Sequence, residues 1–337
     1  MPPMPRPQHL SLLIRAGLVA VPGLVLGAAA WEDGRSWDLQ PPKPAVAIEV
    51  PGEHPTSDCA SCHSEVAQEW SDSAHALAWD DEAYQESLKG KRRPQLCHGC
   101  HIPQPVLARE NMSRKPRPRE DMQSHGVSCE SCHLGPSGEM LGTHGTQVDA
   151  HASAVSPMMS TPGSNKLCST CHSTSIGPVI GLGKDFTASK QEERGRSCVG
   201  CHMASVERRW ADGEDVPLRA GRSHALQTPR DPAFVKRAFT LEPQGSQLVV
   251  KNEAGHRVPG LIGREFHFEV ELLDGGGKVI ERRKLKIDAT AYLPVDGSRA
   301  IEFKKSGEQF RIRGKHVDPR AKKPVVFLSE TLDAKVR

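Results

Sequence analysis

The chain has 337 residues and is nearly balanced in charge, with 44 Lys and Arg against 41 Asp and Glu. This length suits two domains, and no nucleic-acid partner is expected from so small an excess of positive charge. Aromatic residues make up only 4% of the chain, with two tyrosines. Such a content is thin for a conventional core and leaves room for large apolar groups in the interior.

The N-terminus has the pattern of a secretory signal. Arg6 and Arg15 accompany an apolar run over 16–30 that closes on three alanines before Trp31. A basic start, a short apolar stretch and small residues at the cleavage position are typical of export. Because the run is short and Pro22 lies within it, we predict a signal peptide over 1–30, with a retained N-terminal anchor as the alternative. Either one implies a periplasmic or extracellular location.

All ten cysteines lie in five Cys-x-x-Cys-His motifs, which we number as sites I to V in chain order. The motif residues are Cys59, Cys62 and His63; Cys97, Cys100 and His101; Cys129, Cys132 and His133; Cys168, Cys171 and His172; and Cys198, Cys201 and His202. Two thiols at this spacing can bond to the two vinyl groups of one haem, and the histidine that follows can bind its iron. The spacing therefore predicts five covalently attached haem c groups, with the five histidines as proximal ligands.

Disulfides and zinc sites are the other uses of paired cysteines. Neither explains a histidine directly after every pair. Zinc ribbons also combine two pairs, and five is an odd number. The haem interpretation is therefore favoured.

Two regions of different character follow a proline-rich stretch, 31–55, that is predicted to be an extended linker. Residues 56–232 are predicted to form a mostly irregular and α-helical cytochrome domain around the haems, with its clearest helix over 64–79. Residues 265–273 and 279–287 indicate a hairpin, because the first alternates apolar and polar residues and a glycine-rich turn separates them. With further strand-like runs at 247–252, 309–313 and 325–328, residues 233–337 are predicted to form a small antiparallel, sandwich-like β-domain.

The chain also has enough histidines to fill the second axial position of each iron. Of 16 histidines, five belong to the motifs and His9 lies in the predicted signal, which leaves ten. A second histidine closes the iron to substrates and favours electron transfer.

The distal candidates are His75, His125, His144, His151 and His224, with one of His144 and His151 expected to be a ligand. His98 and His267 are expected to be exposed, His54 and His316 have no supporting context, and Met158, Met159 and Met203 are competing axial ligands.

Longer patterns around the motifs resemble a known family. They are Cys59-x-x-Cys62-His63 followed by Trp70-x-x-Ser73-x-His75, then Gly126-Val-Ser-Cys129-Glu-x-Cys132-His133, and Cys198-x-x-Cys201-His202-Met203 with Arg222-Ser-His224 downstream. This set resembles the cytochrome c554 family and the wider group of multihaem cytochromes built like it, over about residues 55–275. The resemblance implies that His75 and His224 are distal ligands.

The resemblance extends to a short run in the predicted β-domain. Asn252-Glu-Ala-Gly255-His256-Arg-Val-Pro259-Gly260 is similar to a signature appended to several such cytochromes. It implies that His256 is a distal ligand reaching back to a haem. The name-giving family has four haems, whereas this chain has five motifs.

The leading functional hypothesis is a pentahaem c-type cytochrome that relays electrons through closely packed, mainly bis-histidine haems without substrate chemistry of its own. One alternative is a haem enzyme with one five-coordinate iron, such as a nitrogen-oxide or peroxide reductase. Pentahaem nitrite reductases typically carry Cys-x-x-Cys-Lys at their catalytic haem, and every motif here ends in histidine. The other alternative is a subunit of a multihaem filament.

Charge is distributed unevenly along the chain. Residues 236–337 hold 21 Lys and Arg against 14 Asp and Glu, so the rest of the mature chain is acidic. Such asymmetry can steer different partners to different faces, although an ordinary solvated surface would look the same. The expected partners are redox proteins, with a membrane quinol oxidoreductase or a terminal reductase as candidates. A homo-oligomer stays open.

Overall fold

Short helices that end at the haem-binding motifs dominate the first part of the structure. The computed structural model describes residues 59–109, 115–146 and 148–334, so the predicted signal, the predicted linker and His54 lie outside it. The helices are α1 Ser64–Ser71, α2 Glu82–Leu88, α3 Gln95–His101, α4 Cys129–His133, α5 Ser164–His172, α6 Leu182–Ala188, α7 Cys198–His202 and α8 Pro232–Lys236. Four of them, α3, α4, α5 and α7, end on a motif histidine. A helical turn suits the motif because residues three apart share one helix face.

No helix in the described ranges is long and apolar enough to cross a membrane.

The predicted helix over 64–79 is interrupted. Helix α1 ends at Ser71, and only a 3-10 turn, Ala76–Ala78, follows it. Ser73 is buried, and its hydroxyl accepts hydrogen bonds of 3.2 Å from the peptide N–H groups of His75 and Ala76. A serine side chain that binds nearby peptide groups competes with helical hydrogen bonds. Because of this interruption, His75 lies at the start of the 3-10 turn and outside α1.

Two small pairs of strands, which the sequence patterns did not predict, lie within the haem-binding region. Strand β1 (Met140–Gly142) pairs in parallel with β2 (Ser153–Val155). Strand β3 (Ser205–Arg209) forms an antiparallel hairpin with β4 (Leu218–Arg222). These strands are too short to show a period in the sequence.

The C-terminal part is antiparallel sheet, as predicted. Its strands are β5 Phe239–Gln244, β6 Gln247–Asn252, β7 Glu265–Leu273, β8 Val279–Ile287, β9 Ser298–Glu302, β10 Gln309–Val317 and β11 Val325–Asp333. They form a four-stranded sheet in the order β11-β10-β7-β8 and a three-stranded sheet in the order β5-β6-β9. Strands β6, β7 and β8 have the predicted bounds, whereas β10 and β11 run further than predicted and β5 and β9 were missed.

Both sheets contribute to one buried apolar cluster. The alternation in β7 is confirmed, since Phe266, Phe268, Val270 and Leu272 are all buried. Strand β10 adds Phe310 and Ile312, and the three-stranded sheet adds Leu248, Val250 and Ile301. The sandwich architecture and the domain boundaries at 56, 232 and 233 stay predictions.

We expect Phe268→Ala to lower the free energy of unfolding by about 3–5 kcal/mol, because it removes a fully buried ring from this cluster. Denaturant unfolding of the haem-loaded protein, followed by far-ultraviolet circular dichroism, would measure the change. The neighbouring His267→Ala is the control. It breaks only a partly exposed pair with Glu265, which is worth about 1 kcal/mol or less. Equal losses in the two variants would contradict the burial pattern.

Candidate haem-binding sites

Four of the five motif histidines face a second imidazole. The ring centres are 6.4 Å apart for His63 and His151, 6.1 Å for His172 and His75, 6.2 Å for His133 and His224, and 6.3 Å for His202 and His256. Metal–imidazole bonds of about 2 Å on either side of one ion would put two ring centres about 6 Å apart. The spacing of all four pairs therefore fits one iron between two histidines, and the cysteines that precede each motif histidine fit covalent haem.

Backbone carbonyl groups hold most of these imidazoles in one tautomer. The Nδ1 atoms of His101, His133 and His202 donate to the carbonyl groups of Ala78, Leu141 and Gln227, at 2.6, 2.7 and 2.8 Å. His63 donates in the same way to Trp210. The distal candidates His224 and His256 donate to Arg222 and Arg257, at 3.0 and 2.9 Å. A proton fixed on Nδ1 leaves Nε2 free to bind a metal ion, and such a partner also orients the ring.

At sites III, IV and V burial keeps the facing imidazoles neutral, which is the form that binds iron. Desolvation, with repulsion from neighbouring histidines, lowers the pKa of His75 to about 3. Desolvation and the nearby His133 lower the pKa of His224 to about 4. Burial also lowers the pKa of His133, His172 and His256.

The backbone of His75 is locked by the segment that leads into site III. The peptide N–H of Val127 donates to the carbonyl of His75 at 2.9 Å, and the indole of Trp70 donates to the carbonyl of Val127 at 2.8 Å. Gly126 precedes Val127 and has a φ of +53°, and a Cβ atom there would lie 2.3 Å from the His75 carbonyl oxygen. Only glycine suits this left-handed, crowded position. The Trp70, Ser73 and Gly126 of the sequence pattern thus all position His75.

His224 is positioned by α1. Its peptide N–H donates to the Glu69 carboxylate at 2.8 Å. Strand β4, which ends two residues earlier at Arg222, is paired through Arg222 with Ser205 of β3. The hairpin and α1 together set His224 opposite His133.

The loop between β6 and β7 carries His256. Asn252, at the end of β6, is fully buried, and its side-chain amide donates to the carbonyl groups of His256 at 3.0 Å and Pro294 at 2.8 Å. Buried hydrogen bonds therefore fix the base of the loop to the β-sheet region, out of contact with water.

The same loop is pressed against α6 of the haem-binding region. A side chain at Gly255 would come within 2.9 Å of the Phe186 ring, and one at Gly260 within 2.4 Å of a Leu182 methyl group. Arg257 forms two hydrogen bonds with Asp185, at 2.5 and 2.7 Å. The glycines permit the close approach, and the ion pair sets the register in which His256 faces His202.

Site II differs from the other four. The Tyr84 ring stacks on the His101 ring with centres 3.6 Å apart and planes at 7°. The Tyr84 hydroxyl is buried without a hydrogen-bond partner among the described residues, and burial raises its pKa. Within the described ranges no imidazole faces His101 as it does at sites I, III, IV and V.

Contacts between cysteines of different motifs show which sites are neighbours. The Cys59 side chain lies beside that of Cys129, Cys100 beside Cys171, and Cys168 beside Cys198. Cys132 is an electrostatic neighbour of Cys168 and Cys171. Site I therefore lies beside site III, site III beside site IV, and both site II and site V beside site IV. The spatial order is branched and differs from the order in the chain.

Several histidines lie elsewhere than the sequence suggested. The four facing pairs do not include His125, which is buried in the turn Gln123–His125. Of the loop candidates, His151 faces His63, while His144 packs against Trp210 with ring centres 4.2 Å apart. The expectation that His98 is exposed is wrong, because its Nε2 atom is buried and its ring packs edge-on against Trp79. His316 is also buried, against Phe266, because it continues the buried alternation of Phe310 and Ile312 along β10, beyond the strand end that was predicted.

The structure also bears on disulfides and zinc, the two other uses of paired cysteines. All ten are free of disulfide bonds. The described residues contain no cluster of three or more metal-ligating side chains. The facing pairs consist of histidines, so Met158, Met159 and Met203 have no assigned role.

Comparisons with known proteins agree with the haem interpretation. Residues 58–134 match the family described as cytochrome c554 and c-prime. The chain is 32% identical over 97 residues to cytochrome c-554 of Nitrosomonas europaea, an alignment that covers 26% of this chain and 39% of that relative. The fold is similar to that of a penta-heme cytochrome c552 from Thermochromatium tepidum, with a TM-score of 0.56 and 15% identity over 82% of this chain and 98% of that one.

The motifs, the facing histidines and these similarities define the class of the protein. It is a multihaem c-type cytochrome, and this class supports an electron-transfer role. More particularly, residues 58–134, which hold sites I to III, resemble the cytochrome c554 family, and the fold of most of the chain is similar to that of the penta-heme cytochrome c552.

We expect Gly126→Ala to lower the free energy of unfolding by at least about 2 kcal/mol, because the new methyl group would collide with backbone carbonyl oxygens at a left-handed φ. Gly90→Ala is the matched control, since Gly90 also has a positive φ but nothing lies within 4 Å of the added carbon. That variant should lose only about 1 kcal/mol. Thermal unfolding of both haem-loaded proteins would measure the difference, and similar losses would contradict the close approach at Gly126.

Proposed function

We propose that this protein relays electrons between redox partners through five covalently bound haem c groups. The observation that carries the proposal is the set of four imidazole pairs at 6.1–6.4 Å. When bound, each haem supplies one-electron redox chemistry at its iron. Two histidines per iron close the metal to other ligands, which suits relay better than bond chemistry.

The roles of the residues follow from the pairs. The ten motif cysteines attach the five haems, and His63, His101, His133, His172 and His202 are their proximal ligands. The distal ligands are His151 at site I, His224 at site III, His75 at site IV and His256 at site V. At these four sites both histidines come from this one chain, so the relay proposal does not require the filament alternative.

The cysteine contacts support a continuous route for electrons. Sites I, III and IV follow one another, and sites II and V each adjoin site IV. The chain places the attachment cysteines of neighbouring sites side by side, and haems bound there would lie close enough for electron transfer. We infer that site IV is the junction of the relay, with sites I, II and V as its three ends.

Replacing His256 by alanine tests the proposal. We expect the number of high-spin irons, counted by paramagnetic resonance of the oxidised protein, to rise by one relative to the wild type. The haem content per chain should stay at five, because the cysteines hold the haem covalently. His267→Ala is the control, since that residue lies on the outer face of β7 and pairs with Glu265. An unchanged spin count in the His256 variant would contradict its role as a ligand.

The haem-enzyme alternative is favoured by one observation, the neighbourhood of His101. There the described residues offer a stacked Tyr84 and its buried hydroxyl in place of a facing imidazole. An iron open on one side at site II could bind a small substrate, such as a nitrogen oxide or a peroxide. In the same spectrum, a high-spin fraction of about one fifth in the wild type would support this second function, and five low-spin irons would contradict it.

We further propose a periplasmic or extracellular location and redox proteins as partners. The signal-like N-terminus and the covalent haem support the location. The outer face of the four-stranded sheet supports docking of an acidic partner, because its basic side chains outnumber the glutamates of β7. Three glutamates there pair with five basic residues: Arg282, Lys284, Lys286, Arg311 and Lys315. A membrane quinol oxidoreductase and a terminal reductase are the candidate partners.

Cell fractionation with haem staining checks the location. We expect the haem-stained band of the full-length chain outside the cytoplasm, and we expect a variant with Arg6 and Arg15 replaced by glutamate to lose haem, because export precedes attachment. Haem-loaded protein in the cytoplasm would contradict the proposed location.

A further inference from the structure

Arg208, on the inner side of strand β3, is a buried cation with unused hydrogen-bond donors. Its side chain is only 5% exposed, and its Nη2 donates to Glu69, whose side chain is 9% exposed. The Nε and Nη1 atoms are buried and have no hydrogen-bond partner among the described residues. Buried charged groups of native proteins are almost always fully hydrogen-bonded, so a guanidinium in this state indicates a missing acceptor.

The surroundings of Arg208 identify the chemistry of that acceptor. Arg208 is an electrostatic neighbour of His224, and Glu69 accepts the peptide N–H of His224. His224 faces His133, so Arg208 lies beside site III. The Glu69 carboxylate already accepts hydrogen bonds from Arg208 and from the His224 peptide N–H. The remaining guanidinium N–H groups therefore require another acceptor, and an anionic oxygen group such as a carboxylate suits the fork geometry of arginine.

We propose that Arg208 binds a propionate of the haem at site III and thereby raises the reduction potential of that haem. This inference rests on the proposed function, since it requires a haem between His133 and His224. The fixed positive charge lies in a water-poor environment, where it favours the reduced iron more strongly than a surface charge would. Glu69 orients both the guanidinium and the backbone of His224, so it acts as a positioning residue.

Arg208→Gln tests the assignment, with an electrochemical titration followed by paramagnetic resonance as the readout. We expect the equilibrium constant for reduction of one haem to fall about ten-fold, which is about 59 mV for a one-electron couple, while the other four stay unchanged. The propionate bands in the redox infrared difference spectrum should shift in the same variant. Arg209→Gln is the matched control, because the neighbouring Arg209 is exposed and binds only a backbone carbonyl, that of Val216. An unchanged potential in the Arg208 variant, or an equal change in the control, would overturn the proposal.

Further variants separate propionate binding from a purely structural role. If Arg208 acts only through Glu69, the shift should vanish in a Glu69→Gln background, and that result would overturn the proposal; we expect it to persist. Arg208→Lys keeps the charge and much of the packing, so it should restore most of the potential but not the propionate bands. It also covers the case in which the glutamine variant fails to mature.

A last experiment tests site I as the alternative location of the propionate and keeps this inference distinct from the ligand assignments. In a His151→Ala background site I should become high-spin, and we expect the Arg208→Gln shift to stay with a low-spin haem. A shift of the high-spin signal would place the propionate at site I and overturn the assignment to site III. A wild-type spectrum without bis-histidine irons would instead contradict the proposed function itself.

Discussion

The structure depends on bringing two imidazoles from distant parts of one chain to face each other about 6 Å apart. The motif histidine of each pair is delivered by the helix or turn that carries its cysteines. The second histidine comes from elsewhere: a 3-10 turn for His75, a loop between short strands for His151, the end of a hairpin for His224 and the loop of a β-sheet for His256. The irregular backbone of the haem-binding region places His75, His151 and His224 opposite their motif histidines.

The β-sheet region takes part in this arrangement directly. Its apolar cluster gives β6 and β7 a rigid base, and the loop between them reaches α6 through the Arg257–Asp185 pair and two closely packed glycines. Precise placement of a ligand needs a rigid scaffold and supporting hydrogen bonds around it. Asn252 supplies such support by binding the carbonyl of His256 from a fully buried position. The β-sheet region thus carries both the loop of His256, the proposed ligand of site V, and the proposed docking face.

Burial controls the electrostatics of the sites in two ways. It lowers the pKa of six facing histidines, which keeps these imidazoles neutral and able to bind metal: His75, His133, His172, His202, His224 and His256. Burial also strengthens the effect of a charge on its neighbours, and the buried pair of Arg208 and Glu69 lies next to the proposed ligand His224. Site II has a different environment, in which an aromatic ring packs on the motif histidine. That contrast gives the five sites unequal chemical surroundings although their motifs are alike.

The sequence by itself predicted the covalent chemistry and part of the local structure. Five Cys-x-x-Cys-His motifs specify attachment because the spacing of neighbouring residues is local, and the β7–β8 hairpin was predictable because alternation and a glycine-rich turn are local as well. Sequence context made His75 and His224 candidates, and family resemblance supported both and added His256. The structure sets each of the three opposite a motif histidine. Only the tertiary structure decided which histidine faces which site, that His151 rather than His144 faces His63, that His125 lies outside the four pairs, and that sites II and V both adjoin site IV. Such pairings join residues far apart in the chain, so they depend on packing and close backbone approaches, as at Gly126 and Gly260, that no local pattern encodes.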